Sequence, residues 1–179
     1  MKLGKYELIV TGGVEDSVGY VLLAHGQRYC VELRNFTNRR CDAALSIDGI
    51  LVGTFRIAPE QAVVIERPVH DDGHFTFYEL GSHEARTASL ARSNVLGLVQ
   101  AVFKPEYETK EIVLCSSPSS GGTGLSGKSS QEFGTASPIE HAPESEFVTI
   151  SLRLGGHPHS LIRPLAPQPL ANAVPPPLD

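Results

Sequence analysis

Two short stretches of this 179-residue chain carry residue types that could do chemistry. The first is GTGLSGKS, residues 122–129, which fits the phosphate-loop pattern G-x-x-x-x-G-K-S from Gly122 to Gly127, Lys128 and Ser129. A working loop of that kind needs a buried strand running into the glycines and a helix starting at the Lys-Ser pair, so that backbone N–H groups and the helix N-terminus hold the phosphates. Here SSPSSG separates the motif from the strand candidate ending near Cys115, and the following SSQEFGTASP lacks an amphipathic pattern and contains Gly134 and Pro138. The expectation is a Ser/Gly-rich loop with an exposed Lys128. The second stretch is HDDGH, residues 70–74, with two imidazoles and two carboxylates of the kinds that bind zinc or manganese. It joins one strand candidate to another, and Asp-Asp-Gly is ordinary turn chemistry, so a turn is expected. No G-x-S-x-G elbow or other nucleophile motif occurs. The reading is therefore of no enzyme activity, no catalytic residue, no cofactor and no metal ligand.

The remaining candidates are weaker. Cys30, Cys41 and Cys115 are scattered without a C-x-x-C, which reads as free thiols, with a Cys30–Cys41 bridge as the alternative. Arg39-Arg40 reads as a solvated turn, Glu66-Arg67 as a local ion pair, and Asn35-Phe36-Thr37 as a glycosylation sequon that matters only in a secreted chain. Phe55, Phe75, Phe77 and Phe103 fall where packing is expected, whereas Tyr20, Tyr78 and Tyr107 could stack on a sugar or peptide. His157-Pro158-His159 reads as exposed. In RPLAPQP, residues 163–169, the P-x-x-P of Pro164 and Pro167 beside Arg163 resembles a ligand for an SH3-type groove, the one interaction motif of the chain.

The elements that must position these residues are short and β-like. YELIV (6–10), GYVLLAHG (19–26), RYCVELRN (28–35), QAVVIERPV (61–69), HFTFYEL (74–80), GLVQAVFKP (97–105), KEIVLCS (110–116) and EFVTISLRL (146–154) read as strands. CDAALSIDGILVGTFRI (41–57) reads as two strands joined by a tight turn at Asp48-Gly49. In 28–35, Tyr29, Val31 and Leu33 alternate with Cys30, Glu32 and Arg34, the period of a half-buried strand. SHEARTASLARSN (82–94) has room for one short helix behind Ser82 as N-cap, covering an end of the fold. Roughly nine or ten short strands with frequent turn signals predict an all-β antiparallel β-sandwich, jelly-roll-like or immunoglobulin-like. Its expected span is 4–154, with a long Ser/Gly/Pro-rich loop at 116–145 inside it and a flexible Pro-rich tail at 155–179.

Totals agree with a globular domain. Hydrophobic residues make up 41% and charged residues 20%, and a net charge of −5 argues against a basic face for nucleic acid. No long apolar run suggests a membrane span, and MKLGKYELIVTGG lacks the apolar stretch of a signal peptide. A cytoplasmic or virion-associated protein is expected.

Several motifs together resemble an uncharacterised family of small β-rich proteins associated with large DNA viruses and some bacteria. They are Arg40, Asp42 and Ala43; Ile47, Asp48 and Gly49; Phe55, Arg56 and Ile57; Glu66, Arg67 and Pro68; and Phe75, Thr76 and Phe77, with Leu125 to Phe133 as a further match. The resemblance spans about residues 28–106 and implies a β-fold, with no activity attached. It places the chain as a structural or interaction module, in a virion or another large assembly, with a protein partner or self-association. The alternative is a carbohydrate- or small-ligand-binding sandwich, and an NTPase comes third.

Overall fold

A computed structural model describes residues 1–90, 93–107 and 131–156. In chain order these form β1 (Lys2–Leu3), β2 (Tyr6–Thr11), β3 (Val14–Glu15), β4 (Tyr20–Leu23), β5 (Cys30–Asn35), β6 (Cys41–Ile47), β7 (Ile50–Ile57), β8 (Ala62–Ile65), α1 (His83–Thr87), β9 (Leu98–Pro105) and β10 (Val148–Gly156), with a 3-10 turn at Glu144–Glu146 before β10. The fold is the expected all-β sandwich. One sheet has the order β1-β2-β5-β8 and the other β3-β4-β10-β9-β6-β7. Among the described strands every pairing is antiparallel except one: β4 runs parallel to β10, from Tyr20 beside Arg153 to Leu23 beside Gly156.

Alternation places the core between the sheets. Tyr6, Leu8 and Val10 of β2, Val31 and Leu33 of β5 and Ile65 of β8 are buried against Val99, Ala101 and Phe103 of β9 and Ile150, Leu152 and Leu154 of β10. Tyr6 stacks on Phe103 with ring centroids 4.8 Å apart. Tyr6's phenol is pushed up to about 12, chiefly by burial. β10 is buried on both faces, because Ser151 and Arg153 on its other side are covered as well. At the β6–β7 hairpin, Asp48 and Gly49 take φ values of 54° and 79°, the paired left-handed turn that matches strand twist. A bulge between Leu45 and Ser46 shifts the hairpin register by one residue.

Three boundaries differ from the sequence expectation. The first sheet already begins at Lys2, and β10 continues to Gly156, two residues into the expected tail. Gly155 and Gly156 extend the strand by pairing with Leu22 and Leu23. HFTFYEL does not form a strand ladder: it makes a single bridge, Arg28 to Thr76. Its backbone divides its bonds, since Phe75 N–H donates to the Glu66 carbonyl while the carbonyls of Phe75 and Phe77 accept from Tyr29 and Gly26. This segment therefore closes the end of the sandwich, with Phe75 stacked 5.5 Å from Tyr29. The helix is a single turn and a half, capped as expected by the Ser82 hydroxyl, which accepts from Ala85 N–H at 3.0 Å.

The described half of the expected 116–145 loop is a strap laid along the β6–β7 side of the molecule. The phosphate-loop match at 122–129, the strand expected at 110–116, Cys115, His157, His159 and the Arg163, Pro164 and Pro167 motif lie outside the described residues. No helix among the described residues is long and apolar enough to cross a membrane.

Candidate functional site

The strap is held by three polar anchors. Gln131 comes first: its Nε2 donates to the Val64 carbonyl at 2.8 Å and its Oε1 accepts from Glu66 N–H at 3.5 Å. One side chain thus occupies the outer edge of β8 as a paired strand would. Arg67 then reaches across: Nη2 donates to the Gln131 carbonyl and Nη1 to those of Pro68 and Asp71, while its guanidinium lies 4.8 Å from the Phe133 ring. Phe133 in turn packs on Phe55 at 5.7 Å.

The third anchor is a charge cluster on the outer face. Asp42 of β6 lies opposite Arg56 of β7, which grips both carboxylate oxygens through Nε and Nη2, the latter at 3.0 Å. Arg56 Nη1 also donates to the Ser137 carbonyl at 2.7 Å. His141 Nε2 sits 2.9 Å from Asp42 Oδ2 and the His141 ring meets Phe147 edge-on. Beside them Arg40 is paired with the Glu106 carboxylate, and Arg39 donates to the Glu106 carbonyl and to Glu146. Burial by itself raises the Asp42 carboxyl, but the bonds from Arg56 and His141 outweigh it and hold the group below its usual range. An aspartate that orients an imidazole is a familiar catalytic element. The thiol next to Asp42, however, is that of Cys41, which faces the core and is pushed up to about 12 by burial. What the cluster demonstrably does is fix the strap.

The far end of β6 is built differently. Asp48 accepts from Gly97 N–H, and burial raises its carboxyl despite that bond and the nearby Arg153. Arg153, only 2% exposed, donates to the carbonyls of Leu96 and Asn94 at 2.6 and 2.9 Å. Gly97 sits at φ 73°, and a Cβ there would lie 2.7 Å from the Leu154 carbonyl oxygen, so the crossing requires glycine. Just beyond the turn, Ile50 and Leu51 are 72% and 63% exposed.

The residues singled out from sequence are dispersed. HDDGH is a turn: Asp71 Oδ1 accepts from Gly73 N–H at 2.7 Å, Arg67 reaches Asp72 at 3.6 Å, and His74 faces Glu66 at 3.8 Å. Among the described residues no three His, Cys, Asp or Glu side chains converge as metal ligands would. Cys30 and Cys41 are free, and they lie on strands of different sheets. The sequon asparagine is buried, its amide donating to the carbonyls of Arg39 and Ala58 and its oxygen accepting from Thr37 N–H and hydroxyl. It is a structural bracket with its bonding capacity filled. The Arg39-Arg40 pair is ion-paired rather than a solvated turn, because Glu106 and Glu146 are brought beside it by the fold. Tyr20 is buried, Tyr107 is half-exposed, and Tyr78 borders a shallow groove. Phe55, Phe75 and Phe103 are core residues as expected.

The chain matches no known protein family, no curated protein and no solved structure.

Proposed function

We propose that this protein is a non-catalytic interaction module, a component of a larger assembly such as a virion, that docks a protein surface through the tip of the β6–β7 hairpin. The observation that carries this reading is the adjacent exposure of Ile50 and Leu51 at the start of β7, directly after the two-residue turn. Two neighbouring aliphatic side chains left in water at the tip of a paired hairpin are an anchor in search of a pocket. Fully covering both is worth about 3–6 kcal/mol, enough to change an association constant by at least about a hundredfold.

Edge-to-edge strand pairing is a less natural route. β1 and β3 have two residues each, Gln131 occupies β8, and β7 gives its Val52 carbonyl to Val69 N–H at 3.1 Å. The simplest partner is a second copy of the chain. Sedimentation velocity across a concentration series should show association that Ile50→Asp/Leu51→Asp removes without altering the thermal melt. A strict monomer at every concentration, with no effect of the double change, counts against self-association.

A further inference from the structure

Beside the single helix, α1 and the segment before it frame a groove of about 340 Å³ lined by Tyr78, His83, Glu84, Thr87 and Ala88. Its size falls at the lower end of the roughly 300–1,000 Å³ range of small-molecule sites. Spacing explains the lining: residues 83 and 87, and 84 and 88, are four apart and share one side of the helical turn.

The groove's polar groups are held in position. Glu79 N–H donates to His25 Nδ1 at 3.2 Å, so the neutral imidazole carries its proton on Nε2. That nitrogen is 3.5 Å from Glu84 Oε2, and the His25 ring lies 5.8 Å from Tyr78. The Thr87 hydroxyl spends its hydrogen on the His83 carbonyl at 3.0 Å and presents its lone pairs. Glu84's own backbone N–H, with His25 and His83 nearby, holds its carboxyl below the usual range.

We propose that this groove binds one sugar ring of a glycan, with Tyr78 against the C–H face of the ring and Glu84 and Thr87 accepting its hydroxyl protons. The chemistry selects this class. An aromatic surface beside two oriented acceptors suits a ligand that has a flat apolar face and several O–H donors. An anion would meet the Glu84 charge, and a purely apolar ligand would cover the Glu84 and Thr87 acceptors without using their remaining lone pairs.

The test is saturation-transfer NMR on the full chain with methyl glycosides of glucose, galactose, mannose and N-acetylglucosamine, and with choline as a cationic control. Saturable transfer to at least one glycoside is expected, concentrated on one face of the ring. Binding should weaken at least about tenfold in Glu84→Gln, an exposed change that leaves the fold intact, and in Tyr78→Ala. The Ile50→Asp/Leu51→Asp protein should bind unchanged, which separates this site from the hairpin tip. Transfer to no glycoside, transfer to choline alone, or glycoside binding indifferent to Glu84→Gln and Tyr78→Ala would each overturn the proposal.

Discussion

Asp42 near the start of β6 and Asp48 just past its end are both partly buried, both near an arginine, and held in opposite ways. Asp42 is gripped through both oxygens by Arg56 and approached by His141, so its charged form is favoured. Asp48 accepts from the Gly97 backbone N–H, and its nearby arginine donates through Nη1 and Nη2 to the carbonyls of Leu96 and Asn94. Its charged form is disfavoured by burial. Proximity of opposite charges is therefore a poor guide; what decides is whether direct bonds to the carboxylate outweigh its burial.

The comparison can be broken from either end. The largest effect is expected at Arg153: Arg153→Met removes a buried guanidinium and its bonds to the carbonyls of Asn94 and Leu96, and should cost about 2–3 kcal/mol in urea unfolding. A loss below about 1 kcal/mol would mean that the 94–97 segment does not depend on it. Next, Asp42→Asn removes the charge that fixes Arg56 and should cost about 1–2 kcal/mol at pH 7. Because the folded carboxyl lies below its unfolded value, this contribution is complete above the unfolded pKa of about 4 and disappears as pH falls through the lower folded one. The stability difference between the natural protein and Asp42→Asn should therefore shrink on acidification below about pH 4.

The smallest effect belongs to Asp48→Asn. Asparagine accepts the same Gly97 N–H and tolerates φ 54°, so stability at pH 7 should change by less than about 0.5 kcal/mol, toward greater stability. The sign of its pH dependence is reversed. With a folded carboxyl above the unfolded value, the natural protein gains stability from Asp48 as pH falls through the folded pKa toward about 4. Equal losses from Asp42→Asn and Asp48→Asn would erase the distinction.

Sequence patterns revealed the strands well where one face is buried and the other wet. β5 follows its alternation residue by residue, and the Asp48-Gly49 turn and the Ser82 cap stand where their chemistry places them. The Asp42–Arg56 pair was hidden by the bulge. A regular hairpin about Asp48-Gly49 would set Asp42 opposite Phe55, and one extra residue near Val52 moves Arg56 into that place. The strap was hidden for a different reason. Its anchors, Gln131, Phe133 and His141, are single side chains in a stretch without periodicity, and their partners are distant in sequence. The groove beside α1 sets Tyr78 against the helix, with His25 of a third segment next to Tyr78 and Glu84, a convergence that spacing along the chain does not encode.

The one parallel pairing has a consequence for how the protein is made. β10, the last described strand in the sequence, lies between β4 and β9 in the middle of the six-stranded sheet. Every described strand of the smaller sheet has left the ribosome once Ile65 emerges, yet its apolar inner face has to wait for β9 and β10 to cover it. A nascent chain of this protein thus carries an unfinished surface from Ile65 until β10 emerges, an interval in which chaperones bind and neighbouring chains entangle. Adding β10 joins β4 to β9 and unites the two parts of the larger sheet in one step.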